Sequence, residues 1–351
     1  MAAIKSYKGF DKNLKCRDFQ YEIGKEYEMD GEIKVCSRGF HACESPLEVF
    51  DHYSMIGSRF CEVEQDGNIS KEDRGTKICS SKIKIKTELK LANMINLGVE
   101  WLKEITSPEK IKTSIKDNSS CYGAQIGSSG NYAKIGSSGN YAKIGSSGNG
   151  AKIGSSGNDA KIGSSGNYAQ IGSSGNYAQI GSSGNYAKIG SSGNYAKIGS
   201  SGNGAKIGSS GDGAKIGSSG NDAKIGSSGN GAKIGSSGNY AQIGSSGNGA
   251  KIGSSGNDAK IGSSGNDAQI GSSGNDAKID STGEDSVIMC AGINSVAKAS
   301  KGSWITLSEW SYSDKKHRYI PVCVKTEFVD GEKIKADTYY KLDGGVFKEI
   351  Q

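Results

Sequence analysis

Proline is scarce in this chain, three residues in 351, although glycine reaches 54. That balance excludes a collagen-type helix, which needs both. No run of eighteen apolar residues occurs, so no membrane-spanning helix is expected. The opening stretch, MAAIKSYKGFDKN, lacks the apolar core of a secretion signal, and the expectation is a cytoplasmic protein with reduced thiols. The eight cysteines include no paired CxxC. Cys36, His41, Cys43, His52 and Cys61 lie near one another in sequence, but Cys36 and Cys43 are seven apart, which reads as core thiols rather than a zinc site. Threonine arrays of the ice-binding type are missing as well.

What the chain has instead is a nonapeptide, as in GSSGNYAKI. Ile recurs at every ninth position from Ile126 to Ile279, eighteen times without a slip. A flexible linker has no reason to keep one Ile in phase, so the run reads as a parallel β-solenoid. Ala and Ile stand two apart and share the inner face of a short strand, "AKI", with the Lys or Gln between them outward. "GSSGN" reads as the turn, with Gly supplying positive φ. Two copies per coil and three per coil both fit.

Charge is concentrated on the repeat. The whole chain carries +6, whereas residues 123–279 hold 13 Lys and 6 Asp, hence +7, leaving the flanks near −1. The position two before each Lys or Gln is Tyr, Gly or Asp and shares their outward parity. A Lys surface interleaved with Tyr suits phosphates and bases. The candidate binding residues are therefore Tyr132, Lys134, Tyr141, Lys143, Tyr186, Lys188, Tyr195 and Lys197. The plain alternative is a solvated face on which Lys prevents edge aggregation. "GSSGND" also resembles the calcium nonapeptide GGxGxD, making Asp258, Asp267 and Asp276 the metal candidates, although the apolar residue sits one position late.

The flanks read as globular. Residues 1–120 suggest an α+β domain: Ser45-Pro46-Leu47-Glu48 opens a helix with a capping box, strands alternate over 58–64 and 82–91, and a second helix starts at Leu91. Residues 121–282 form the solenoid, 283–310 worn copies that cap it, and 311–351 a tail of β-hairpins.

Two resemblances add to this. GFHACESPLEVFDHY followed by SRFCEVEQDG resembles the strand, helix and acid-ended strand of ADP-ribosyltransferase-like folds, although the threonine of that pattern is absent. The likeness implies His41 in the place of the usual tyrosine and Glu62 or Glu64 as the catalytic acid. More broadly, KCRDFQYEIGKEYE, GFHACESPLEVFDHY, the Gly-rich repeat and IKADTYYKLDGG resemble an uncharacterised protein family of phages and prophages. That likeness implies a cytosolic, phage-encoded product with a variable repeat between constant ends, and brings no established activity.

The expectation is thus an α+β head, a parallel β-solenoid of nonapeptide repeats and a small β cap, in a non-catalytic binding or scaffold protein. Its partner would be a protein or an anionic ligand, nucleic acid included, with no cofactor and no membrane; an oligomer fits equally. The alternatives are an ADP-ribosyltransferase-like enzyme and a component of a virion fibre or adhesin.

Overall fold

A computed structural model describes residues 3–35, 37–55, 57–72, 76–105 and 118–350. Cys36, one of the clustered thiols, lies outside them. The chain divides into two compact units, Met1–Trp101 and Leu102–Gln351.

In the first unit, β1 (Ile4–Phe10), β2 (Lys15–Cys16), β3 (Phe19–Gln20), β4 (Glu26–Glu28) and β5 (Phe40–Cys43) precede the long hairpin of β6 (Arg59–Lys71) and β7 (Lys77–Leu89). The sheet order is β4-β7-β5-β1-β6, and β6 pairs again with β7. Four strands therefore close on themselves, which leaves no free edge among them. Inside lie Phe10, Phe40, Cys61, Val63, Ile83 and Ile85, all nearly or fully buried. Gln65 is the polar exception, and it is satisfied: its amide donates to the Phe40 carbonyl and to Ser80 Oγ, and its carbonyl accepts from Ser6.

The helix expected from Ser45 is a 3-10 turn, Pro46–Asp51, and no capping box forms. Glu48 accepts instead from the amide and hydroxyl of Thr76, a partner 28 residues away. Helix α1 (Leu91–Ile105) begins where expected, with Met94, Ile95 and Val99 buried. Gly98 interrupts its apolar stripe because a Cβ there would run into the Leu47 side chain.

The second unit is the solenoid. Each copy pairs in parallel with the copy 18 residues on, Ile153 with Ile171 and Ile171 with Ile189. Two copies therefore make one coil, which settles the open choice. Alternate copies belong to two sheets, of 12 and 13 strands among the described residues. The strand is not Ala-Lys-Ile but Lys-Ile-Gly-Ser, as in Lys188–Ser191. Ile and Ser point inward, Lys and Gly outward, and the buried Ala immediately precedes the strand.

Positive φ falls on neither glycine of "GSSG". It falls on the Tyr/Gly/Asp position, where φ lies between 55° and 69° in every copy from Gly123 to Asp276. The change of backbone hand at this corner also breaks the alternation that would have placed Tyr beside Lys. The second glycine has a different duty. A Cβ on Gly202 would collide with the carbonyl of Gly184 one coil below, and the same holds from Gly148 to Gly292.

Asn builds the corner ladder. The backbone N–H of Asn185 donates to Asn167 Oδ1, that of Asn203 to Asn185 Oδ1, and so on along both corners. Asp212 substitutes without breaking the chain, since it accepts from Asn230 N–H. The ladder ends at Glu284 and Ile293. There the worn copies Val287–Cys290 and Val296–Ala299 continue both sheets, and Tyr339–Asp343 closes one of them in antiparallel fashion. Val329, Ile334, Tyr340 and Leu342 join the solenoid core and cover its end. Strands Trp304–Ser313 and Arg318–Phe328 form one hairpin at the end of the other sheet; Pro321 fits there because that strand is the outermost.

Candidate functional site

The outward residues of the 12-stranded sheet are a row of Lys or Gln and a row of Gly, one pair per coil. Lys143, Lys161, Lys197, Lys215, Lys233 and Lys251 are exposed, and the bare glycines beside them leave a shallow groove along the sheet. A Cβ at Gly145, Gly199 or Gly253 would meet nothing. Among the described residues none of these six lysines is in an ion pair. Like charges one rung apart, about 4.8 Å, repel and are held together only by the backbone ladder beneath them. On the 13-stranded sheet the lysines are less open: Lys152, Lys188, Lys206 and Lys224 are half-buried. Burial, followed by the charges of Lys134 and Lys188, lowers the pKa of Lys152.

The named surface residues thus divide into separate places. Lys143 and Lys197 lie on the 12-stranded sheet, Lys134 and Lys188 on the other. Tyr132 and Tyr186 occupy one corner line, Tyr141 and Tyr195 the opposite one, all exposed and all left-handed. No tyrosine lines the glycine groove. The tyrosines contact each other instead: Tyr168 stacks on Tyr186, and Tyr177 on Tyr195, each at 5.3 Å. Tyr186 also lies over Gly204, whose Cβ would press into the ring. A left-handed tyrosine costs roughly 1–2 kcal/mol, of which a stacked pair returns about 0.5–1.5.

Asp258 and Asp276 follow one another on one corner, with Asp267 on the other, each left-handed. Among the described residues no three His, Cys, Asp or Glu side chains group closely enough to hold a metal ion.

In the N-terminal unit His41 lines a cleft of about 1110 Å³. Burial, with the nearby Lys8 charge second, holds its imidazole below the ordinary pKa. Glu62 and Glu64 do not line this cleft. They project from β6 between the buried Cys61, Val63 and Gln65, and pair with Lys5 at 2.8 Å and Lys86 at 3.0 Å. His41 and the two carboxylates are therefore not brought together. The sequence reading missed Lys8, Cys16 and Tyr53, which do meet there: Lys8 Nζ lies 3.5 Å from Cys16 Sγ, and Tyr53 Oη 2.9 Å from the same sulfur.

Residues 4–97 match the model of a domain of unknown function (DUF7666). The match covers the N-terminal unit almost entirely and none of the solenoid. No curated protein and no solved structure matches the chain. The matched domain therefore supplies a boundary for the cleft but no chemistry, and among the described residues no helix is long and apolar enough to cross a membrane.

Proposed function

We propose that the protein binds without catalysis, and that the 12-stranded face of its solenoid is the contact surface for a linear polyanion, nucleic acid first. The observation that carries this reading is the row Lys143, Lys161, Lys197, Lys215, Lys233 and Lys251, one per coil except where Gln179 intervenes, beside a glycine groove and without an ion pair among the described residues. An incoming phosphate chain relieves the repulsion within the row and releases its own counterions. The glycines allow close approach, since no side chain stands between the backbone and the ligand. Tyrosines at the corners are outside the groove, so binding on this reading is electrostatic and indifferent to base sequence. A phage or prophage origin, and action against a host defence component, belong to the same proposal and rest on the family resemblance alone.

The test uses the full chain and a single-stranded oligonucleotide. Gln occupies the Lys position in the copies at Gln125, Gln179 and Gln269, so Lys197, Lys215, Lys233 and Lys251 can be changed to Gln within the repeat's own vocabulary. Affinity should fall steeply with salt, and the fourfold variant should lower the slope by roughly 3, at ~0.7 for each phosphate no longer neutralised. Equal binding by variant and wild type, or binding without salt dependence, would sink the assignment.

A further inference from the structure

The cleft of the N-terminal unit has a buried cation at its wall. Lys8 is 4% exposed, yet its ammonium donates to the His41 carbonyl at 3.0 Å, touches Cys16 Sγ at 3.5 Å and faces the rings of Phe10 and Tyr21 at 5.5 and 5.8 Å. These partners are a carbonyl, a thiol and two ring faces. Among the described residues no carboxylate pairs with Lys8. Burial lowers its pKa, with Cys16 opposing. A buried charge without a counter-ion is among the most costly groups a fold can keep, and a methionine would fill the same space without that cost.

The lining carries charges of both signs, and Lys8 is the most deeply buried of them. His52 and Lys77 line the cleft with Lys8, and Arg17 adds an exposed guanidinium on a backbone held at φ 55°. Carboxylates are present as Asp18, Glu26 and Glu28, the last already bound to Lys82 at 3.0 Å. Beside the cations stands an aromatic wall. Phe19 is 47% exposed and meets Tyr21 and Tyr27 edge-on at 4.7 and 5.3 Å, so its ring is presented to solvent within the cleft. Exposed aromatic surface next to a buried ammonium without a carboxylate partner, that of Lys8, is the chemistry that holds a flat ring and an anionic group together.

We propose that this cleft is a binding site for a small anion bearing a planar ring, with Lys8 as its counter-charge, Phe19 and Tyr21 as the ring wall and Arg17 at the rim. The site is independent of the solenoid reading, and either can fail without the other.

The probe is adenosine monophosphate, titrated into the full-length protein by calorimetry, with adenosine and inorganic phosphate as its two halves. Saturable binding is expected, at least tenfold weaker for each half. Lys8→Met should weaken it at least tenfold while raising the unfolding temperature of the unit, a combination that a purely structural lysine does not produce. Should Lys8→Met fail to fold, Arg17→Ala, at an exposed position, is expected to weaken binding several-fold. No saturable binding of adenosine monophosphate at millimolar concentration overturns the proposal. So does equal binding by the folded Lys8→Met variant or, in its absence, by Arg17→Ala. Phosphate binding as tightly as the nucleotide overturns the ring wall.

Discussion

The two units solve the same problem, wrapping hydrogen-bonded strands around an apolar centre, in opposite ways. In the N-terminal unit each interaction occurs once: Gln65 bridges three elements, Tyr53 fills the space beside Gly9, and Glu48 holds Thr76. In the solenoid one small set of interactions recurs every 18 residues, and its stability is a sum over neighbouring coils. Uniqueness lets the first unit bury a costly lysine in a cleft. Repetition gives the second a long uniform surface, and leaves no room for a side chain where the backbone of one coil meets that of the next, as at Gly202.

The widest separation between the two should come from a matched pair of glycines within one copy. Gly202→Ala forces a Cβ into the Gly184 carbonyl and should cost more than about 3 kcal/mol, read as loss of the solenoid's urea transition with the first unit's transition unmoved. Gly199→Ala, three residues earlier and open on the groove, should change stability by less than about 1 kcal/mol. If both behave alike, the stack is not what limits the position. The next effect belongs to the first unit and to pH. Lys8 has a lowered pKa in the fold, so the unfolded chain binds the proton more tightly. Stability should therefore rise with pH from the folded pKa up to about 10.5, its unfolded value, and Lys8→Met should abolish that rise. Ser191→Ala comes third. The Ser191 hydroxyl is fully buried without a hydrogen-bond partner, as are those of its neighbours up and down both sheets. Removing it should raise the solenoid's midpoint by about 1 kcal/mol, whereas Ser6→Ala in the first unit, which loses a bond to Gln65, should lower stability by a similar amount. Smallest is Tyr186→Gly, where relief of a left-handed tyrosine offsets a lost ring stack; chemical denaturation should find less than about 0.5 kcal/mol.

Much of the solenoid was legible because its period is enforced by packing. One Ile in nine, never out of phase, has a single physical explanation, and the inward Ile and Ala follow from it. The phase of the strand was harder. Ala-Lys-Ile and Lys-Ile-Gly-Ser both alternate, and a glycine followed by two serines carries turn propensity that the coil-to-coil ladder overrides. The left-handed corner did leave a signal: Gly and Asp interchange at that position, and both tolerate positive φ, but Tyr in the same slot concealed it. In the N-terminal unit the strands were visible, but the closure of β6 on β7 and the cleft were not. Lys8 stands in an alternating run, Ile4-Ser6-Lys8-Phe10, where only the three-dimensional partners tell that its ammonium is buried. Glu62 and Glu64 stood out as acids at the end of a strand, yet β1 stands between their strand and that of His41, and each is held by a lysine instead.

The serine column has one further consequence, for temperature. Each copy places inside one Ile, one Ala and one hydroxyl, so unfolding a coil exposes little hydrocarbon for the length of backbone released. The heat-capacity change per residue should fall below the usual ~12–15 cal/mol/K that apolar exposure sets. A smaller heat capacity flattens the dome of stability against temperature. The repeat should consequently hold a nearly constant share of its strength from ice-cold to warm conditions, while the more aromatic N-terminal unit keeps the ordinary curvature and weakens at both ends.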